Sequence, residues 1–122
     1  METQLKEDLI KEKVEELTDL AISTVYNTVK LYNRGLIPFM FYPPIEIDKI
    51  YWKRPLQYND NKYEIELSVV VYNRVNKKRT KITFWYNFYK DGRETLTIIM
   101  RGAEIVHYDY KEFVKAIKGE KD

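Results

Sequence analysis

The 122-residue sequence predicts an α+β fold: a long N-terminal helix, a four-stranded antiparallel meander sheet and a short C-terminal helix. Three observations predict it. Apolar positions recur in steps of three and four up to about residue 34, alternate in steps of two between Ile45 and Met100, and return to helical spacing after Asp109. A chain of this length buries one modest core, so residues 1–122 are expected to form a single domain. Its parts are a helix over 1–34, a connection over 35–44, a sheet over 45–107 and a helix over 109–119.

In the first helix Ile10, Val14, Leu17, Ala21, Thr24, Thr28 and Leu31 make one stripe. Leu9, Leu20, Val25, Val29 and Tyr32 widen it beyond a coiled-coil seam, so the helix is expected to lie on a sheet rather than on a second copy of itself. Glu2, Glu7 and Asp8 suit the positive end of the helix dipole, and Asn33-Arg34-Gly35 supplies a basic last turn and a stop. The pattern fits one helix, or two joined near Asp19. Pro38, Pro43 and Pro44 then bracket Phe39-Met40-Phe41-Tyr42, which must run extended over the core because each proline pushes its predecessor out of helical geometry.

Strands are predicted over 45–53, 63–74, 80–89 and 94–101. The breaks at Asn59-Asp60-Asn61, 73–79 and Asp91-Gly92 have turn chemistry, and such short connections favour a meander. A fifth short strand fits 103–107, after which Asp109 caps a helix whose Tyr110, Phe113, Val114 and Ile117 share a face.

The last hairpin defines the two faces of the sheet. A two-residue Asp91-Gly92 loop would split the apolar residues between both faces. A three-residue loop, Lys90-Asp91-Gly92 with a left-handed Gly92 in a bulge, pairs Tyr89 with Arg93 and aligns Phe84, Tyr86 and Phe88 with Ile98, Leu96 and Met100. The second register gathers one core face and is preferred, since a one-residue slip would expose the whole set. Tyr63, Ile65, Leu67, Val69 and Val71 join that face. The opposite face carries Thr83, Trp85, Asn87 and Tyr89 beside Thr95, Thr97, Ile99 and Arg101, with Val70, Tyr72 and Arg74 on the neighbouring strand.

A net charge of +2 hides an uneven distribution: residues 73–101 hold eight basic and two acidic side chains, whereas the first twenty hold seven acids and three lysines. Exposed rings beside cations suit single-stranded nucleic acid, whose bases stack while a basic groove follows the phosphates. A small non-enzymatic protein binding single-stranded DNA or RNA is therefore the leading expectation. Its candidate residues are Trp85, Tyr89, Tyr72, Arg74, Lys77, Lys78, Arg79, Lys81, Arg93 and Arg101. The alternative uses the same aromatic face as a homodimer seam or as a docking surface for a protein partner, with no role in nucleic-acid binding.

The absence of cysteine excludes a disulfide scaffold, a thiolate zinc site and a Cys nucleophile. No stretch approaches the roughly 20 apolar residues of a membrane span, and the acidic start does not suit a signal peptide, so an intracellular protein is expected. No glycine-rich phosphate loop occurs, and the one histidine, His107, forms no triad, so neither cofactor nor catalytic residue is expected. Glu46 with Asp48, and Glu64 with Glu66, share strand faces and offer a remote metal-dependent nuclease alternative. The Lys-, Glu-, Ile- and Tyr-rich mixture resembles that of small proteins from hyperthermophilic archaea and their viruses.

Overall fold

The computed structural model describes residues 2–53 and 62–119. It is an α+β fold of α1 (Glu2–Tyr26), α2 (Thr28–Asn33), a five-stranded sheet and α3 (Tyr110–Lys118). The helical stripe is interrupted at Asn27, not near Asp19. Asn27 takes φ −114° and ψ 20°, and its amide donates to the Ser23 carbonyl at 2.8 Å, competing for the oxygen that its own backbone N–H also uses. The bend lets α2 drop against the connection, where the Thr28 hydroxyl accepts from Phe41 N at 3.1 Å.

The strands are β1 (Ile45–Lys53), β2 (Lys62–Asn73), β3 (Arg79–Tyr89), β4 (Glu94–Met100) and β5 (Val106–Asp109), paired antiparallel in chain order. The fifth strand forms three residues later than the spacing predicts. The chain needs Gly102, at φ +85°, and the residues after it to turn back before Val106 pairs with Ile98. The predicted Asn59-Asp60-Asn61 turn lies outside the described residues. Among those described, no helix is long and apolar enough to cross a membrane.

The β3–β4 hairpin takes the three-residue register. Tyr89 N donates to Arg93 O at 2.8 Å, Gly92 sits at φ +96°, and Phe84 and Tyr86 face Ile98 and Leu96. A side chain at that φ costs about 1–2 kcal/mol. Gly92→Val is thus expected to lower the thermal midpoint by several degrees, and an unchanged midpoint would contradict this turn.

A bulge at Asp48 shifts the pairing of β1 from Ile47↔Val71 to Lys49↔Val70. The extra residue reverses side-chain parity, so Ile45, Ile47, Ile50 and Trp52 all lie on one face despite their uneven spacing. That face meets the helices. Ile65, Leu67, Val69 and Val71 of β2, and Ile82, Phe84 and Tyr86 of β3, are buried against Leu17, Ala21 and Val25 of α1, Ile37 and Phe39 of the connection, and Phe113 of α3. Tyr63 shares this face near the end of the sheet, half-buried beside Leu9, Ile10 and Tyr86. Asp109 caps α3 by accepting from Glu112 N at 3.0 Å.

One polar cluster crosses the core edge. Glu94 is 5% exposed and accepts from Lys13 Nζ at 2.8 Å and from Tyr86 OH at 2.6 Å, tying α1 to β3 and β4.

Candidate nucleic-acid interface

With both helical layers on one side, no helix or strand among the described residues lies over the other side of the sheet. The register orders its side chains into rows across the strands: Tyr51, Ser68, Thr83 and Ile99; Lys53, Glu66, Trp85, Thr97 and His107; Glu64, Asn87, Thr95 and Asp109. Short polar groups sit between long neighbours, which is why Ser68, Thr83, Asn87 and Thr97 are each less than a tenth exposed on an uncovered face.

Two adjoining grooves run along the strands. The first, about 700 Å³, is lined by Arg79, Lys81, Arg101, Glu66, Thr80, Thr83 and Ile99. The second, about 490 Å³, is lined by Trp85, Asn87, Tyr89, Thr95, Thr97, His107, Tyr108, Asp109 and Lys62. Trp85 pairs with Glu66 of the first groove and Thr97 of the second, and so stands where they meet. From Lys81 to Tyr89 the track is about 26 Å long at the usual rise per strand residue.

The nominated residues separate on this surface. Trp85 is half-buried, and no ring or cation stacks on it among the described residues. Tyr89 and Tyr72 are already covered: the Arg93 guanidinium lies 4.4 Å from the Tyr89 ring centre, and that of Arg79 lies 4.7 Å from Tyr72. Arg79 also pairs with Asp48 at 3.0 Å, Arg93 with Asp91 at 3.0 Å and Arg74 with Glu46 at 3.1 Å. These exposed pairs are individually weak and open readily. Lys77 and Lys78 project from the β2–β3 turn, outside both grooves. Lys81 and Arg101 line the first groove with no acidic partner among the described residues.

Counting charge along the chain overstated the basicity of this face. Folding sets Glu46, Asp48, Glu64 and Glu66 of β1 and β2 beside the basic hairpins, where Glu64 holds Lys62 at 2.9 Å and Glu66 holds Lys53 at 3.3 Å. The hydrogen bond that Lys62 donates to Glu64 raises the pKa of Lys62. These four carboxylates are the ones a nuclease would need, and each is engaged by a basic side chain. No three His, Asp or Glu side chains converge as a metal-ligand set among the described residues.

Two features of the second groove were not nominated from the sequence. His107 Nδ1 lies 2.8 Å from Thr97 Oγ1, which orients its ring across the β4–β5 pair. Asn87, 6% exposed, has a carboxamide oxygen that is buried with no hydrogen-bond partner. An unmet acceptor of this kind costs a fold about 1–3 kcal/mol. Alternation with Trp85 and Tyr89 places Asn87 on this face; that its oxygen is unmet depends on its neighbours across the sheet.

No protein-family model, curated protein or solved structure matches the chain.

Proposed function

We propose that the uncovered sheet face binds single-stranded nucleic acid, with Lys81 and Arg101 on phosphates and a base stacked on Trp85. The observation that carries this reading is that two grooves occupy neighbouring rows of one sheet face: Lys81 and Arg101, with no acidic partner among the described residues, line one, and Trp85, with nothing stacked on its ring among the described residues, lines the other. Stacking needs a free π-face and tolerates any base, while cations in a groove follow the backbone without reading sequence. Trp85 supplies the first and Lys81 with Arg101 the second. The covered Tyr72 and Tyr89 are assigned to framing the track rather than to stacking.

The test is binding of labelled single-stranded DNA and RNA, with duplexes as controls, across a salt series. Replacing both cations, Lys81→Gln with Arg101→Gln, is expected to weaken single-strand binding at least tenfold. The slope of log affinity against log salt should become shallower by about 1.4, the value for two lost phosphate contacts. Unchanged affinity and slope would overturn the assignment. So would a sedimentation result in which the native protein is a dimer and Trp85→Ala turns it monomeric, because the face would then be a subunit seam.

A further inference from the structure

We infer that the end of the molecule formed by α2, the connection and the β2–β3 turn docks on an anionic lipid surface, with Val75 and Tyr42 entering the headgroup layer and Lys77 and Lys78 on its phosphates. This contact goes beyond the single-strand reading and does not depend on it. Of the seven large apolar side chains exposed among the described residues, five are at this end: Tyr26, Val29, Tyr32, Tyr42 and Val75. Hydrogen bonds join the elements that carry them. The Tyr26 hydroxyl accepts from Ile47 N at 3.2 Å, near the start of β1. Thr28 holds Phe41, and the carbonyl of the next residue, Tyr42, accepts from Asn73 Nδ2 at 3.5 Å. Arg74 N donates to Pro44 O at 3.1 Å. Thr28 and Leu31 bury one side of α2, which leaves Val29 and Tyr32 outside.

Charge selects the occupant. Residues 20–45 and 67–80, which build this end, hold six basic side chains and no acidic one. The acids that follow in β1, Glu46 and Asp48, are paired with Arg74 and Arg79, whereas Lys30, Lys77 and Lys78 have no acidic partner among the described residues. Glu12, Glu15 and Glu16 lie toward the other end of α1, where Lys13 meets Glu94 beside the β3–β4 hairpin. An anionic surface therefore attracts one end of the molecule and repels the other. The turn is also built to project. Asn73 Oδ1 accepts from Val75 N at 2.8 Å and from Asn76 N at 3.1 Å, and Asn76 Oδ1 accepts from Lys78 N at 2.9 Å. Lys77 is held at φ +61°, a conformation that glycine adopts freely and lysine does not. Val75 thus stands 75% exposed between Arg74 and Lys77 in sequence, with no π-face on which a base could stack. An aliphatic group among cations gains instead from the boundary of headgroups and acyl chains, where it leaves water while the cations stay at the phosphates. Tyr42, 69% exposed, suits the same layer, with its ring inward and its hydroxyl wet.

The probe is vesicles of phosphatidylcholine containing phosphatidylserine, compared with vesicles of phosphatidylcholine alone, with co-sedimentation of the protein followed across a salt series. Native protein is expected to bind the anionic vesicles, to ignore the neutral ones and to be released by salt. Lys77→Asn with Lys78→Gln should weaken that binding about thirtyfold, the effect of two cations at an anionic surface. Asparagine is chosen because it tolerates the left-handed backbone at that position. Val75→Ser and, on a separate element, Tyr42→Ser should each weaken binding about tenfold, the effect of withdrawing one apolar side chain. No binding of native protein to the anionic vesicles, or binding that survives in all three variants, would overturn the docking. Loss in the lysine variant alone would overturn it too, since no apolar group would then enter the layer. So would a tip that is needed for binding duplex DNA while vesicle binding stays native in its variants, because the turn would then serve nucleic acid.

Discussion

Lys13→Met is expected to destabilise the fold by about 3 kcal/mol, lowering the thermal midpoint by about 10 °C, although the position lies on a largely hydrated helix. Lys13 is 18% exposed and its ammonium is 2.8 Å from the Glu94 carboxylate, itself 5% exposed. Removing the cation leaves a buried carboxylate with the Tyr86 hydroxyl at 2.6 Å and the more distant Lys111 at 3.7 Å. Breaking such a pair from one side costs more than the pair is worth, because the remaining charge stays desolvated. The double variant Lys13→Met with Glu94→Gln should recover much of the loss.

Glu94 also makes stability depend on pH in a defined direction. Burial pushes its pKa up, but hydrogen bonds from Lys13 and Tyr86 and the charges of Lys13 and Lys111 outweigh that, leaving it below the usual value of 4.5. A group held lower in the folded than in the unfolded chain contributes stability that is full above its unfolded pKa. That stability is lost as pH falls through the folded value. Stability should therefore decline below about pH 4.5, and the decline should shrink in Glu94→Gln. Lys13 has its pKa raised: burial lowers it, but the Glu94 hydrogen bond and the charges of Glu16, Glu94 and Glu12 outweigh that. Its share is therefore present below about pH 10.5 and lost as pH rises past the folded value. Urea unfolding at a series of pH values reads both ends.

Phe84→Ala and Trp85→Ala are expected to have opposite consequences, although the residues are neighbours. Phe84 is fully buried on the helix-covered face, and truncating it leaves a cavity at the centre of the sheet at a cost of about 3–5 kcal/mol. That approaches the whole stability of a protein this size, so the variant should be largely unfolded or melt far below the native protein. Trp85, one residue on, faces the opposite side, and losing its half-buried ring should cost less, about 2 kcal/mol. Trp85→Ala should instead lose single-strand affinity by about tenfold, the worth of one stacked base. Circular dichroism melts and oligonucleotide titrations on the two variants make the comparison. A stable Phe84→Ala would mean that the faces are reversed.

Much of this arrangement is legible in the residues themselves. The Lys90-Asp91-Gly92 loop could be settled against its two-residue rival because only one register keeps Phe84, Tyr86, Leu96 and Ile98 together, and a left-handed Gly92 is what that register demands. The shift from Ile45 and Ile47 to Ile50 and Trp52 was also a signal, one that becomes clear as a bulge at Asp48 once β1 is paired. The bend at Asn27 was harder to place, since the stripe runs through it and only a side-chain hydrogen bond to Ser23 marks the spot. β5 was short enough for the turn before it to decide where pairing began.

The candidate surface divides along the same line. Alternation by itself determined that Trp85, Asn87 and Tyr89 share a face opposite Phe84 and Tyr86, because side-chain direction in a strand follows from position alone. Which of those groups remain free was decided only by tertiary structure. Arg79 and Arg93 cover Tyr72 and Tyr89, β1 and β2 bring carboxylates to the basic hairpins, and Lys81, Arg101 and Trp85 are left facing the grooves. Periodicity is a property of neighbours in sequence, whereas charge neutralisation and hydrogen-bond satisfaction depend on neighbours in space, supplied here by strands up to about thirty residues away.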